Sequence, residues 1–265
     1  MADHILSLSY GKDSLACLGA IKELGLPLDR IVHAEVWATE TIPADLPEMV
    51  EFKKYADEII KRDYGIQVEH FRANNNYEQQ FYKTRFNKCL NKECIYGFPT
   101  TRGVWCNSKL KMEAIKKATG DKNAIQYVGI AFDEPERHKV LKGNTRSPLV
   151  DAKWSELQCK EWCIENKLLS PIYTSSQRGG CWFCHNQSIK QLRLLRKHHP
   201  ELWEMLLKWD KDSPFPFKAN GHTVNDYEKR FAMEEVGFVP KDKTFRWEML
   251  EKPTQISFVF EEEFI

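Results

Sequence analysis

The chain has no long hydrophobic run, since no stretch approaches the ~20 apolar residues that a membrane-spanning helix requires. It also has almost no excess charge, because 39 lysines and arginines stand against 38 aspartates and glutamates and leave a formal net charge of +1. This balance gives the whole molecule no electrostatic preference for nucleic acid or for an acidic membrane. With 42% hydrophobic residues among 265, the chain can bury a substantial core and is predicted to be globular.

A secretory leader is also missing from the sequence. Charges fall within the first four residues, and an apolar strand pattern follows at once, so we expect a cytoplasmic protein. Eight cysteines without a leader predict free thiols or metal ligands in a reducing compartment, and not a disulfide framework.

Short apolar runs alternate with helical patterns through the first two-thirds of the chain. The predicted strands are 5–9, 30–39, 66–73 and 124–132, and the predicted helices are 14–24, 46–65 and 108–120. Strands separated by helices pair in parallel through right-handed crossovers, which predicts an α/β sheet covered on both faces. Helical patterns dominate from residue 154 onward. We therefore divide the chain into an α/β domain, 1–152, and a mainly helical C-terminal region with the C-x-x-C motif, 153–265.

The stretch SYGKDS, Ser9 to Ser14, lies where the first strand gives way to the first helix. Such a loop directs backbone N–H groups and the positive helix end toward a ligand, which suits a phosphate. Gly11 permits close approach of the backbone, Lys12 adds a charge, and the two serines add hydroxyls. Asp13 can cap the helix. The loop matches neither GxxxxGK[ST] nor GxGxxG, and any α/β protein needs a turn here, so the residues alone leave phosphate binding and a plain turn both open.

Five segments of the chain carry motifs in a distinctive order. They are SYGKDS at 9–14, VWCNSKLKMEAIKK at 104–117, YVGIAFDEPER at 127–137, SPLVDAKWSE at 147–156 and GGCWFCHNQSIKQLRLL at 179–195. Together they resemble the phosphoadenosine-phosphosulfate (PAPS) reductase family, within the adenine nucleotide alpha-hydrolase group of PP-loop ATP pyrophosphatases. The resemblance runs from about residue 4 to about residue 210. It implies a Rossmann-like sheet that binds an adenine nucleotide, with the phosphates on the first loop.

The resemblance also implies which residues hold the nucleotide. They are Ser9, Tyr10, Gly11, Lys12, Asp13, Ser14, Trp37, Thr39, Gly129, Asp133 and Glu134, with Lys12, Asp13 and Arg137 as catalytic residues. Trp37 and Thr39, at the end of the second strand, would lie near adenine or ribose. Tyr10 departs from the family pattern, which has glycine there, so its side chain would crowd a phosphate or stack on the ligand.

The charged residues after the fourth strand allow two interpretations each. Asp133 and Glu134 would either cap the following helix or place a carboxylate on Mg²⁺ beside the phosphates. Arg137 would either donate a forked pair of hydrogen bonds to a phosphate or pair with Glu134 three residues earlier. We favour the phosphate role for Arg137.

Four cysteines from separate segments could assemble one metal centre. Cys181 and Cys184 form a C-x-x-C motif whose spacing lets two thiolates reach one ion, and Cys94 and Cys106 stand upstream. Thiolates suit either Zn²⁺ or an iron–sulfur cluster. The resemblance favours a [4Fe–4S] cluster, because related proteins in the group carry one, and Zn²⁺ is the alternative.

The fourth ligand of this centre is open. Cys89 could replace Cys94, and His185 could also do so, in which case its ring nitrogen favours zinc. His185 stands where the family pattern has proline. Alternatively, the C-x-x-C thiols are buried hydrophobic groups beside Trp182 and Phe183.

The cysteines also bear on the reaction. Reductases of this family use a nucleophilic cysteine near the C-terminus, whereas the last cysteine here is Cys184. We therefore predict ATP-dependent adenylation of an unidentified acceptor, with loss of pyrophosphate, linked to sulfur transfer. The alternative enzyme is a sulfonucleotide reductase acting on PAPS or adenosine phosphosulfate (APS). The alternative of another class is a non-catalytic nucleotide- or nucleic-acid-binding module with structural zinc.

The basic run at 190–199 bears on a nucleic-acid partner. It would lie along one helix and could contact a nucleic-acid backbone. A solvated helix face above packed leucines is the more frequent role of such a run, so nucleic acid is not favoured. No membrane partner is expected, and a homodimer is compatible with the sequence.

Overall fold

The computed structural model describes residues 3–88, 91–99, 104–120, 123–174 and 180–251. The strands in these ranges are β1 (His4–Ser7), β2 (Arg30–Glu35), β3 (Val68–Arg72), β4 (Thr84–Asn87), β5 (Lys92–Ile95), β6 (Ile125–Tyr127) and β7 (Thr145–Arg146). The α-helices are α1 (Lys12–Glu23), α2 (Pro47–Tyr64), α3 (Tyr77–Tyr82), α4 (Met112–Thr119), α5 (Pro148–Asp151), α6 (Glu156–Glu165), α7 (Ile189–His198), α8 (Pro200–Asp212) and α9 (Val224–Glu235). No helix in these ranges is both long and apolar enough to cross a membrane.

Five parallel strands form the main sheet, in the order β3-β2-β1-β6-β7. In the central strand β1, Leu6 packs in one buried cluster with α1 and α2, and Ile5 packs in another with Ala118 of α4. The two faces of the sheet are therefore covered by different helices, which explains the continuous apolar run in β1. The predicted α/β fold, with a parallel sheet flanked by helices and a mainly helical region after it, is confirmed.

The first core lies between the sheet and helices α1, α2 and α6. Every residue of α1 from Ser14 to Ile21 is buried. Gly19 lets α6 approach closely, because a Cβ atom there would lie 2.4 Å from Nε1 of Trp162. This contact gives a packing reason for a glycine in a helix interior, where it is otherwise unfavourable.

The second core consists largely of aromatic rings. The ring centroids of Tyr77 and Phe183 are 4.0 Å apart, and Trp182 stacks on Trp209 with centroids 5.5 Å apart and planes 12° apart. These rings join the segment between β3 and β6 to the region after the sheet. Both cores draw residues from each side of position 152, and the division into 1–152 and 153–265 stays a prediction.

Several elements were not expected from the sequence. β4 and β5 form an antiparallel hairpin, and β7 is a two-residue edge strand. The helix predicted for 108–120 begins as a π-helical turn, Asn107–Lys111, before α4. The hairpin was missed because it is mostly solvent-exposed, so its strands carry no strong apolar alternation.

Candidate functional site

The loop between β1 and α1 folds around the hydroxyl of Ser14. Ser14 Oγ accepts a hydrogen bond from the backbone N–H of Ser9 (3.1 Å) and donates one to the carbonyl of Gly11 (3.0 Å). The Ser9 hydroxyl donates to the same oxygen at 3.0 Å. Ser14 is buried and Ser9 is exposed, so the Ser14 hydroxyl fixes the shape of the loop while Ser9 stays accessible.

Tyr10 occupies the left-handed backbone region, with φ of 56°. This conformation is favoured by glycine, the residue that the family pattern has at this position. The ring is buried, and its hydroxyl donates to Oδ1 of Asp57 on α2 at 2.5 Å. It also packs edge-on against His33, with centroids 4.8 Å apart. The side chain is therefore held in the core, and the ring is not free to stack on a ligand.

A cavity of about 420 Å³ opens at the carboxyl ends of β1 and β2. Its lining includes Ser9, Tyr10, Gly11, His33, Lys53, Lys111, Arg137, Tyr173 and Cys181. Ligands of open parallel sheets bind at this position, and the volume lies in the range of small-molecule sites. The lining includes three cationic side chains, Lys53, Lys111 and Arg137, so the cavity suits an anion.

Lys53 is oriented by two groups on the cavity wall. Its Nζ lies 2.5 Å from Oδ2 of Asp45 and 3.0 Å from Nε2 of His33. His33 Nδ1 lies 2.8 Å from the carbonyl of Leu8 and donates to it, which leaves Nε2 as an acceptor for the ammonium group. Burial, followed by the charge of Lys53, lowers the pKa of His33 well below its usual value, in agreement with a neutral ring.

Lys12 presents two different groups at the start of α1. Its backbone N–H donates to the hydroxyl of Tyr173 at 3.0 Å. Its Nζ donates to Asp13 at 2.6 Å and to Glu156 at 2.7 Å. Burial alone would lower the pKa of Lys12, but these hydrogen bonds outweigh it and raise the pKa above its usual value. The ammonium group thus lies among carboxylates, and the backbone N–H faces Tyr173, which lines the cavity.

Three carboxylates converge beside Lys12. Oxygens of Asp13, Glu134 and Glu156 all lie within 4.8 Å of one another, the spacing of ligands around one cation. Burial raises the pKa of Asp13, and the hydrogen bond from Lys12 opposes that rise. Oxygen donors of this kind suit a hard divalent cation such as Mg²⁺. Glu156 was not among the residues expected from the sequence.

The other charged residues after β6 serve local contacts as well. Asp133 Oδ1 accepts the backbone N–H of Glu156 at 2.9 Å, so its carboxylate lies at the start of α6. Arg137 Nη1 lies 2.6 Å from Oε2 of Glu134 and also lines the cavity. The structure therefore gives Arg137 the local partner named in one interpretation and the position required by the other.

Gly129 brings the end of β6 against the start of α1. A Cβ atom at this position would lie 2.5 Å from the backbone nitrogen of Ser14, closer than such atoms approach. Gly129 therefore supports the loop by packing, and its contact is with the protein backbone.

Trp37 and Thr39 lie away from the larger cavity. The guanidinium of Arg72 covers the Trp37 ring at 3.7 Å, and Trp37 Nε1 donates to Glu35. Thr39 Oγ1 accepts the backbone N–H groups of Thr41 and Ile42 and so closes a turn. Both residues line a separate cavity of about 80 Å³.

Three of the four predicted cysteine ligands surround Tyr77. Burial raises the pKa of Tyr77 well above its usual value, and the nearby thiols of Cys106, Cys181 and Cys184 add to the rise. In the part of the chain that the structure describes, the buried Tyr77 hydroxyl has no hydrogen-bond partner. A buried polar group without a partner carries a free-energy cost, so the site suits an additional group that the hydroxyl can bond.

The C-x-x-C segment is held in a tight turn. The backbone N–H of Cys184 donates to the carbonyl of Cys181 at 3.0 Å, and Gln187 Nε2 donates to the same carbonyl at 3.0 Å. Lys218 Nζ donates to the carbonyls of His185, at 2.7 Å, and of Gln187. The two thiols are thus presented by a turn that side chains clamp from outside.

The spacing of the thiols bears on which metal would fit. Two sulfurs on one zinc, each at ~2.3 Å, are at most ~4.6 Å apart. Within the described ranges, three cysteine sulfurs nowhere come within 4.8 Å of one another, a spacing met only by the three carboxylates. The cysteines as arranged here suit a wider cluster of several metal ions better than a single zinc ion.

The fourth ligand lies in a less ordered picture. Cys94 is on β5, opposite Arg85, and the interactions that group the other three thiols do not involve it in the described structure. Cys89 lies outside the described residues. His185 is buried immediately after the turn.

Several site residues were missed from the sequence. They are His33, Asp45, Lys53, Tyr77, Lys111, Glu156, Tyr173 and Gln187. Each belongs to a strand, helix or turn whose local pattern already accounts for its residue type. Their grouping arises from the packing of distant segments, for which the sequence carries no spacing signal.

Neither a protein-family model nor a curated protein matches this chain. The resemblance to the PAPS reductase family stays a prediction that rests on its five motifs.

Proposed function

We propose that the protein binds ATP in the larger cavity and uses it to adenylate an acceptor, in a reaction linked to sulfur transfer. One observation carries this proposal: the loop from Ser9 to Gly11 and the thiol of Cys181 line the same cavity. An adenylated acceptor held by the loop would then lie within reach of the cysteine centre.

The cationic side chains give the cavity its preference for phosphate. Lys53, Lys111 and Arg137 line it from three different elements, and the backbone N–H of Lys12 marks the positive end of α1. A phosphate oxygen could take the place of the Tyr173 hydroxyl on that N–H. Asp13, Glu134 and Glu156 would hold Mg²⁺, which supplies charge neutralisation for the departing pyrophosphate.

The proposed chemistry needs no redox step. An oxygen of the acceptor attacks the α-phosphorus of ATP, and the bond from that phosphorus to the bridging oxygen breaks as pyrophosphate leaves. Sulfide then attacks the activated carbon, the carbon–oxygen bond breaks, and AMP leaves with that oxygen. Positive groups around the phosphates stabilise the charge that develops on each leaving group.

The cysteine centre would serve the second step. Cys106, Cys181 and Cys184, with Tyr77 between them, would hold an iron–sulfur cluster, which supplies a sulfur-binding metal at the cavity wall. Burial raises the pKa of the Cys181 thiol to about 12, so the free thiol is a poor nucleophile at neutral pH, whereas metal binding takes the deprotonated form.

The first test is ATP binding, measured by calorimetry with Mg²⁺, together with pyrophosphate release in the presence of candidate acceptors. Arg137→Ala removes a cation from the cavity and should weaken ATP binding about tenfold. Arg146→Ala is the matched control, because Arg146 is also a half-exposed arginine in an ion pair but does not line the cavity. No saturable ATP binding by the wild type would contradict the proposal.

The second test is metal and sulfide analysis after anaerobic purification. Iron with acid-labile sulfide, reduced in Cys181→Ser, is the expected result. Cys17→Ser is the control, because Cys17 lies in the first core. Zinc, or no metal, would contradict the cluster and favour nucleotide binding without sulfur chemistry.

A sulfonucleotide reductase is the second candidate, favoured by the position of Cys181 on the cavity wall. In that reaction the thiolate would attack the sulfur of PAPS or APS and lead to sulfite release. The high pKa of Cys181 argues against it. Sulfite release that is abolished by Cys181→Ser would support this candidate over ATP-dependent adenylation.

A further inference from the structure

A second cavity adjoins the first. Its volume is about 320 Å³, and the two cavities share Met49, Ile172 and Gly180 in their walls. A ligand in the second cavity would therefore be separated from the nucleotide loop only by these shared residues. The volume is enough for one small ring system.

The walls of the second cavity are mostly apolar. Leu46, Leu194 and Leu195 contribute to them, and Gln187 and Gln191 are among the polar lining residues. His199 Nε2 lies 3.7 Å from Oε2 of Glu48, so the only carboxylate in the described lining has a partner nearby. No lysine or arginine lines this cavity in the described ranges, and it therefore suits a neutral ligand, in contrast to the cationic first cavity.

Gln187 supplies a specific polar contact. Its Nε2 donates to the carbonyl of Cys181 at 3.0 Å, which fixes the orientation of the amide because that carbonyl requires a donor. Its Oε1 is buried and has no hydrogen-bond partner in the part of the chain that the structure describes. An acceptor in this state is satisfied by a ligand that brings an N–H donor.

We infer that the second cavity binds the acceptor substrate, and that this acceptor is a neutral, mainly apolar cyclic amide whose N–H donates to Gln187 Oε1. The inference rests on the proposed function, which requires an oxygen on the acceptor to attack ATP. In an amide that oxygen is one atom removed from the N–H. It would lie on the side of Cys181, toward the cavity that holds the phosphates.

The test uses 2-pyridone, a flat cyclic amide, and N-methyl-2-pyridone, which has the same ring without the donor. Binding is followed by NMR chemical-shift changes in the full-length protein. We expect 2-pyridone to bind about tenfold more tightly, because only this compound satisfies Gln187. In Gln187→Met the preference should vanish. Equal binding of both compounds to the wild type would overturn the inference.

A second pair of variants tests the location. Leu194→Trp fills the cavity and should abolish 2-pyridone binding, whereas Lys197→Trp, on an exposed position of the same helix, should not. Binding that persists in Leu194→Trp would overturn the inference. ATP calorimetry separates the two proposals, since saturable ATP binding without an amide preference contradicts only the second cavity, and absence of ATP binding contradicts the proposed function.

Discussion

The Nζ atom of Lys12 lies 2.7 Å from Oε1 of Glu156. This pair ties the loop after β1 to the start of α6, although the two residues are far apart in the chain. Because Asp13 binds the same ammonium group, Lys12 must exchange at least one carboxylate for phosphate if it is to contact a nucleotide. Its role in binding is therefore in competition with its role in the apo protein.

Lys12→Ala should weaken ATP binding about tenfold while the fold persists. One charged contact to a phosphate contributes about 1.4 kcal/mol or more, which is the reason for this magnitude. Calorimetry measures the affinity and circular dichroism the fold. Glu156→Gln is the control, since it keeps the lysine and removes a competing carboxylate, so affinity without Mg²⁺ should not fall. An unchanged affinity in Lys12→Ala would remove the phosphate role.

Tyr77→Phe should have opposite effects with and without metal. The substitution removes a buried hydroxyl that lacks a partner among the described residues, so the free energy of unfolding of the metal-free protein should rise by about 1 kcal/mol. In the metal-loaded protein the gain should disappear, because there the hydroxyl donates to a metal-bound sulfur. Urea unfolding of both forms measures the difference.

Tyr82→Phe is the control for this experiment. The Tyr82 hydroxyl donates to Oδ2 of Asp212 at 2.5 Å, so its removal should lower stability in both forms. If Tyr77→Phe instead destabilised the metal-free protein as much as Tyr82→Phe does, the Tyr77 hydroxyl would have a partner within the protein.

The stability of the protein should decrease between pH 6.5 and pH 9. His70 lies 2.9 Å from Oδ2 of Asp57 and 3.1 Å from Oε1 of Glu35, and these hydrogen bonds raise its pKa from 6.5 to about 9. A pKa that is higher in the folded state stabilises fully below the unfolded value of 6.5, and this stabilisation is lost as the pH rises through 9.

Urea unfolding at pH 6.5, 8 and 9 measures this dependence, and an NMR titration locates the imidazole pKa. In His70→Gln the decline over this range should be much smaller. His198→Gln, an exposed position on α7, should retain the decline of the wild type. A titration of His70 near pH 6.5 would show that the imidazolium is not held by the two carboxylates.

Gly129→Ala should destabilise the protein by about 1–3 kcal/mol, because the added Cβ meets the backbone of Ser14 and displaces the start of α1. ATP binding should weaken with it. Gly11→Ala is the matched control in the loop itself: its Cβ would lie 3.4 Å from the Tyr173 hydroxyl, an ordinary contact, and its φ of −76° is accessible to alanine. Equal stability of the two variants would contradict the packing role of Gly129.

The sequence was sufficient to predict the sheet because buried strands carry continuous apolar runs. Ile5 and Leu6 in β1, and Ile31 and Val32 in β2, are buried from both faces, so their pattern is strong. β7 consists of Thr145 and Arg146 alone and has no pattern to detect. Strength of the local pattern, in this protein, follows the extent of burial.

The site was only partly predictable, because most of it depends on long-range packing. The loop from Ser9 to Ser14 could be identified since its chemistry is contained in six consecutive residues. Lys53 and Lys111 reach the same cavity from α2 and from the π-helical turn, and a lysine on a helix is ordinarily a surface residue. Trp37 was placed near the nucleotide by resemblance, whereas the chain leaves β2 after Glu35 and forms a bridge from Trp37 to Pro43.

The aromatic second core gives the protein an internal optical reporter. Trp105, Trp182, Trp203 and Trp209 belong to it, whereas Trp154 and Trp162 pack against the first core. The stacked indoles of Trp182 and Trp209 should couple in the near-ultraviolet dichroism, while far-ultraviolet dichroism follows the backbone of both cores. If the two signals change at the same denaturant concentration, the cores unfold as one cooperative unit.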